Sequence, residues 1–208
     1  MSLPCRAERR TTDNPSAMRR LALWIAMLMA GNALWAQGVR LQVGDLLFFA
    51  DTAGMGGAIQ ESTGRYTHVA MVAEVGDTVW IIDATRRHGV SRRPLESGEA
   101  CADAYRLAIA FDTAAVLERA MGCIGMAYDE AFLPGNGMMY CSELIHECYR
   151  AADGDPLFEA KPMNWRDKEG RMPQYWTAHF ERLGMPIPEG VPGTNPAEMA
   201  QSPLLRRL

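Results

Sequence analysis

The stretch His68-Val69-Ala70-Met71-Val72-Ala73-Glu74-Val75-Gly76-Asp77-Thr78-Val79-Trp80-Ile81-Ile82-Asp83-Ala84 contains two runs rich in β-branched and apolar residues on either side of Gly76-Asp77, and it reads as a β-hairpin. If Gly76 and Asp77 form a two-residue loop, Val75 pairs with Thr78 and Ala70 lies opposite Asp83. His68 then shares a face with Asp83, one diagonal away, at a backbone separation of ~7–8 Å that an imidazole and a carboxylate close with one hydrogen bond. An odd loop length places the two on opposite faces, because side chains alternate along a strand. In Trp80-Ile81-Ile82-Asp83-Ala84 a carboxylate is out of character unless it has a partner. The plainer alternative is that Asp83 ends the strand and caps the turn at residues 85–88.

Further along, Tyr140-Cys141-Ser142-Glu143-Leu144-Ile145 follows Pro134-Gly135-Asn136-Gly137, which cannot continue a helix. Apolar or small residues then fall at Cys141, Leu144, Ile145, Cys148, Tyr149 and Ala152, the offsets of one helical face. A helix therefore starts close to Cys141, where unpaired backbone N–H groups and the helix dipole favour a thiolate over a thiol. The competing reading is a thiol packed in the core, since free cysteine is among the most buried residue types. The hairpin tips the balance, because it supplies a base (His68) and an orienting acid (Asp83) for a nucleophile (Cys141), the parts of a thiol hydrolase. The backbone N–H of Cys141 is a natural oxyanion donor, and the sequence identifies no second one. The other histidines fit less well: His88 lies in the basic turn Arg86-Arg87-His88-Gly89, His146 is ~140° round the helix from Cys141, and His179 has no accompanying carboxylate pattern.

Near the N-terminus, Arg19-Arg20 precedes the apolar run Leu21-Ala22-Leu23-Trp24-Ile25-Ala26-Met27-Leu28-Met29-Ala30, with small residues at Gly31, Ala33 and Ala36. This is the pattern of a secretory signal or an uncleaved anchor, which implies a periplasmic or secreted protein, with Met18 as the working start. Residues 1–36 are thus read as an extension and signal, and 37–208 as one domain. The chain carries 21 Lys and Arg against 25 Asp and Glu, and residues 1–36 hold five of the Arg and two of the acids, so 37–208 has net charge −7. That balance excludes a nucleic-acid footprint. Cys101, Cys123, Cys141 and Cys148 remain in this domain. With no Cys-x-x-Cys and no His-Glu-x-x-His, neither a zinc site nor any other cofactor is expected.

Five pieces in order, Gly44-Asp45-Leu46-Leu47-Phe48, Tyr66-Thr67-His68-Val69-Ala70-Met71, Ile81-Ile82-Asp83-Ala84, Gly125-Met126-Ala127-Tyr128-Asp129 and Tyr140-Cys141-Ser142-Glu143-Leu144, resemble the circularly permuted papain-fold cysteine hydrolases of the NlpC superfamily, YiiX/YaeF-like branch. The resemblance implies a permuted papain-like α+β fold: a mostly antiparallel sheet or small barrel with the nucleophile helix packed on it. It places the histidine before the cysteine, with His68 as base, Cys141 as nucleophile and Asp83 as third member where relatives carry Glu. The residue patterns agree with such a fold. They predict strands at 43–50, 68–75, 78–84 and 104–111, helices at 54–63 and 113–122, and a short helix started by Asn195-Pro196-Ala197-Glu198.

The implied activity is that of a cysteine amidase or peptidase acting through an acyl-enzyme on a small peptide or amide, with cell-wall peptide as the substrate class the superfamily suggests. One alternative is thiol acyl transfer or hydrolysis on a lipid, and another is a non-catalytic binding domain that retains the fold. Membrane association is expected only through an uncleaved N-terminal segment.

Overall fold

The computed structural model describes residues 40–96 and 101–208; the signal-like segment 1–36 lies outside them. At the centre is β1 (Leu46–Phe49), four consecutive apolar residues that are all buried. Such a run suits a strand covered on both faces. It pairs antiparallel with β2 (His68–Val75) on one side and with β5 (Cys101–Leu107) on the other. Beyond β2 lie β3 (Val79–Thr85) and β4 (Gly89–Pro94), and beyond β5 lies β8 (Leu205–Arg207). The sheet order is β4-β3-β2-β1-β5-β8, every neighbouring pair is antiparallel, and its two ends are not paired, so it is an open sheet rather than a closed barrel. A separate two-stranded piece joins β6 (Lys161–Pro162) to β7 (Pro192–Gly193).

Alternation along the strands sorts the core into two faces. Leu46, Phe48, Val69, Met71, Ile82 and Ala84 form one cluster with Val116 and Ala120 of α2 (Thr113–Cys123) and with Cys141, Leu144, Ile145 and Cys148 of α3 (Cys141–Cys148). Leu47, Phe49, Ala70, Val72, Val79 and Ile81 form the second cluster, capped by Leu41. A third, aromatic cluster gathers Phe132, Tyr140, Trp165, Trp176 and Phe180 between α1 (Met55–Thr63) and α4 (Gln174–Leu183). The short helix begun by Asn195 is α5 (Pro196–Met199), whose Asn195 side chain accepts from the backbone N–H of Glu198 at 2.9 Å.

The hairpin departs from its expected form in two ways that cancel. Val75 pairs with Val79, so the loop holds three residues, Gly76 to Thr78, and on its own would put His68 and Asp83 on opposite faces. A bulge between Val72 and Glu74 takes up one residue, and Val72 pairs with Ile81 and Met71 with Ile82, the register the sequence implied. The last strand before α2 runs over Cys101–Leu107 rather than 104–111.

Gly44-Asp45 anchors the entry to β1. Gly44 has φ 87, and a Cβ there would lie 2.9 Å from a ring carbon of Phe111. Tyr149, the residue following α3, donates its hydroxyl to the Gly44 carbonyl at 2.9 Å. Asp45, 1% exposed, receives Arg106 Nε at 2.6 Å and Nη2 at 2.7 Å, so its buried charge is forked and paired. Gly44→Ala is expected to lower unfolding free energy by about 2–3 kcal/mol through left-handed strain and the Phe111 contact. Urea denaturation at pH 7 reads that loss.

Candidate active site

Cys141 is the first residue of α3, with Tyr140 as an extended N-cap. The preceding segment is held in place rather than loose. Asp129, fully buried, accepts the backbone N–H groups of Ala131 at 2.8 Å and Leu133 at 2.7 Å, and its own N–H donates to the Met139 carbonyl at 3.1 Å. Phe132 takes φ 55, a left-handed conformation costing about 1–2 kcal/mol for such a side chain. Packing of its ring on Tyr140, Trp165 and Trp176 holds that strain in place. Tyr140 is fixed in turn, since its hydroxyl accepts the backbone N–H of Thr194 at 3.0 Å.

His68 opens β2 on the Ala70 face of the sheet, whereas α3 packs on the Met71 face. The two therefore meet at the end of the strand. His68 Nε2 lies 2.9 Å from Asp83 Oδ2, and the thiol of Cys141 is within hydrogen-bonding reach of the same ring, which leaves Nδ1 for the sulfur. The structure thus brings Cys141, His68 and Asp83 together. The sequence reading missed the fourth member. Arg93 of β4 donates from Nε to Asp83 Oδ1 at 3.1 Å and from Nη2 to Oδ2 at 2.6 Å. Asp83 pairs with Ser91 and Ile81 with Arg93, so Arg93 is diagonal to Asp83 on one side as His68 is on the other. The signal for it was the alternation Gly89, Ser91, Arg93 against Val90, Arg92, Pro94, disguised by its polarity and by the closing proline.

Electrostatics follow from this chain of contacts. Burial alone would raise the carboxyl of Asp83, but hydrogen bonds and charge from His68 and Arg93 hold it below the usual carboxylate range. Burial likewise pulls the His68 ring toward the neutral form, yet thiolate charge on Cys141 and the Asp83 carboxylate outweigh it and raise the ring to about 10. Glu143, two residues into α3 and 6% exposed, is pushed up to about 7 by burial, with Asp129 and Glu147 adding to the shift. The Tyr128 hydroxyl is driven well above its ordinary range by burial and then by Cys141, so it stays protonated, and it is directed at the Met55 sulfur at 4.0 Å.

Beside Cys141 lies a small cavity of about 30 Å³, a cleft lined by Tyr128, Phe132, Trp165 and Trp176 among others; among the described residues no Asp, Glu, Lys, Arg or His lines it, His68 included. Two hydroxyl oxygens on its wall are buried: Ser142 Oγ has no hydrogen-bond partner among the described residues, and Thr194 Oγ1 lies beside the Tyr140 hydroxyl. The remaining histidines are engaged elsewhere or exposed: His146 Nδ1 lies 2.5 Å from the Phe158 carbonyl, His179 Nε2 lies 2.8 Å from the Glu130 carbonyl, and His88 is exposed in its turn. No group of three or more His, Cys, Asp or Glu among the described residues is placed to hold a metal ion.

Residues 40–208 match the family described as permuted papain-like amidase enzyme, YaeF/YiiX, C92. The chain belongs to this family. Its description covers the YiiX/YaeF likeness read from the sequence, although not the NlpC label, and makes the protein a member of a family of permuted papain-like amidases. Among solved structures, the metalloprotein yiiX of Escherichia coli O157:H7 is similar with a TM-score of 0.68 and 22% identity over 82% of this chain and 97% of that one, a likeness of fold. No curated protein matches the chain.

Two outcomes test this charge chain. Asp83 is depressed in the folded state, so its contribution is present above the unfolded value of ~3.9 and is lost as pH falls through the lower folded value. Arg93→Gln should therefore cost about 2–4 kcal/mol at pH 7 and progressively less below pH ~4, read by urea denaturation across pH. His68 is raised, so its contribution is complete below ~6.5 and is lost as pH rises through about 10. Ring NMR should find His68 protonated in the wild type at pH 8, and titrating at a lower pH in Cys141→Ala.

Proposed function

We propose that the protein is an exported cysteine hydrolase whose Cys141 thiolate attacks the carbonyl of an amide or ester bearing an uncharged, largely apolar acyl group. One observation carries this reading: a buried carboxylate, forked by Arg93, is hydrogen-bonded to the histidine that faces a helix-first cysteine. His68 Nδ1–H donates toward the sulfur, and the imidazolium–thiolate pair is supported from behind by Asp83. As the tetrahedral oxyanion forms, the N–H of Cys141 is the donor on hand, and the Tyr128 hydroxyl would join it by turning from the Met55 sulfur. His68 then gives its proton to the leaving nitrogen or oxygen, leaving an acyl-enzyme. Water, deprotonated by His68, releases the acid and restores the thiolate.

The walls beside Cys141 favour a neutral acyl group over a charged cell-wall peptide, since Tyr128, Phe132, Trp165 and Trp176 offer no opposite charge to a carboxylate or amine next to the thiol. Export rests on the Arg19-Arg20 signal pattern. Among the described residues no helix is long and apolar enough to cross a membrane.

Limiting iodoacetamide between pH 5 and 9, with the adduct mapped by mass spectrometry, should label Cys141 selectively below pH 7 in the wild type and lose that preference in His68→Ala. Nitroanilides and nitrophenyl esters of neutral aliphatic acids should be turned over, with loss of roughly 10³-fold or more in Cys141→Ser and His68→Ala. Uniform slow labelling of every cysteine would overturn the nucleophile. Faster turnover of glutamyl than of neutral acyl substrates would overturn the specificity.

A further inference from the structure

Two thiols lie outside the cleft, one at the end of each helix that packs on the Met71 face. Cys123 is the last residue of α2 and Cys148 the last of α3, and both are reduced here. Arg119 sits one turn before Cys123 on the same side of α2. Its Nε donates to the backbone carbonyl of Cys148 at 2.8 Å, so this side of α2 abuts the end of α3. Cys148 belongs to the core cluster with Val116 and Ala120 of α2, and Cys123 packs against that cluster from its rim. The two thiols are within hydrogen-bonding reach of each other. Cys148 is fully buried and Cys123 half-buried, so a reagent meets Cys123 first.

We propose that Cys123 and Cys148 form a disulfide-competent pair whose bridge closes a covalent ring around the segment that carries the nucleophile. That ring encloses Tyr128, Asp129, Phe132, Tyr140 and Cys141, so the wall of the cleft and the first turn of α3 fall inside one loop. The co-reactant is an exogenous disulfide, either a low-molecular-weight one such as oxidised glutathione or the disulfide of a protein oxidoreductase. Cys123 thiolate attacks one of its sulfurs and expels the other as thiolate. Cys148 thiolate then displaces the second sulfur and forms the ~2.05 Å S–S bond. In sum the two protein thiols give up two protons and two electrons, and the donor disulfide becomes two thiols. Burial raises the thiol of Cys123 and pushes that of Cys148 up to about 12, so closure is slow near neutrality and quickens with pH. Cys141 is excluded as the partner of Cys148, because residues seven apart on a helix are ~10 Å apart and cannot bridge. The bridge thus consumes the neighbouring thiols and leaves the thiol in the cleft.

The test equilibrates the purified full-length chain in reduced and oxidised glutathione at pH 8, traps free thiols with N-ethylmaleimide and digests with a Glu-specific protease. Cleavage after Glu118, Glu130, Glu143 and Glu147 separates Cys123, Cys141 and Cys148 onto different fragments, which trypsin would leave on one. The expected result is fragment 119–130 joined to 148–159 with loss of 2 Da, and Cys141 on fragment 131–143 carrying maleimide or glutathione with no bond to another protein cysteine. Oxidation should raise Tm by roughly 5–10 °C, and this gain should vanish in Cys123→Ser. Cys123→Ser alters a half-buried site and is expected to fold even where Cys148→Ala does not. Stable glutathione on Cys123 with Cys148 still free, a link from either cysteine to Cys141 or Cys101, or an oxidative Tm gain that persists in Cys123→Ser would each overturn the pairing.

Discussion

A carboxylate with no exposed surface, Asp83, is the constraint around which the site is organised. An unpaired charge at such a depth costs several kcal/mol, so the protein must deliver cations to it from both flanking strands. Arg93 arrives from β4 and His68 from β2, each one diagonal away, and both depend on strand register. A slip of one residue on either side would turn a cation to the opposite face and strand the carboxylate. The geometry of the His68–Asp83–Arg93 chain and the stability of this half of the sheet therefore share the same hydrogen bonds. The fork from Arg93 serves both ends, since it fixes the carboxylate plane and leaves Oδ2 aimed at the imidazole.

Cys141 reaches the histidine by a different route. Leu144, Ile145 and Cys148 seat α3 on the Met71 face, and the pinned segment before Tyr140 sets where that helix begins. The base and the thiol thus belong to opposite faces of one sheet and meet only because His68 is the first residue of its strand. Strain at Phe132 sits in this segment, beside the cleft, where aromatic packing and the Asp129 cap outweigh it. That placement is consistent with a site shaped by rigid support rather than by a moving lid.

Much of this arrangement could be read in the sequence because residue type and period carry it directly. The Leu-Leu-Phe-Phe run of β1, the hairpin residues and the helix offsets after Cys141 each have one physically cheap solution. Asp83 stood out because a carboxylate beside Ile81 and Ile82 needs a partner, and only His68 was within reach of the expected register. That register arose from two compensating irregularities, a third loop residue and the bulge after Val72, which local propensity does not reveal. Arg93 escaped because Ser91-Arg92-Arg93-Pro94 has the composition of a loop. An edge strand tolerates those residues, and only its pairing with β3 shows that Arg93 points at Asp83. Helix α4 escaped for a related reason: its buried residues Trp176, His179 and Phe180 serve an aromatic cluster assembled from distant segments.

The same physics links the cleft to the charges behind it. The charge chain His68, Asp83 and Arg93 stands on the strands, while the small cavity beside Cys141 has aromatic, aliphatic, hydroxyl and amide walls. A wall of that kind lowers the local dielectric, which strengthens the attraction between imidazolium and thiolate and makes any substrate charge costly to admit. An anion placed in the cleft to recognise a charged substrate would compete with Asp83 for the imidazolium, and a cation there would compete with His68 for the thiolate. The electrostatics that support a thiolate at Cys141 thus also favour a neutral group beside it, which is the basis of the substrate class proposed above.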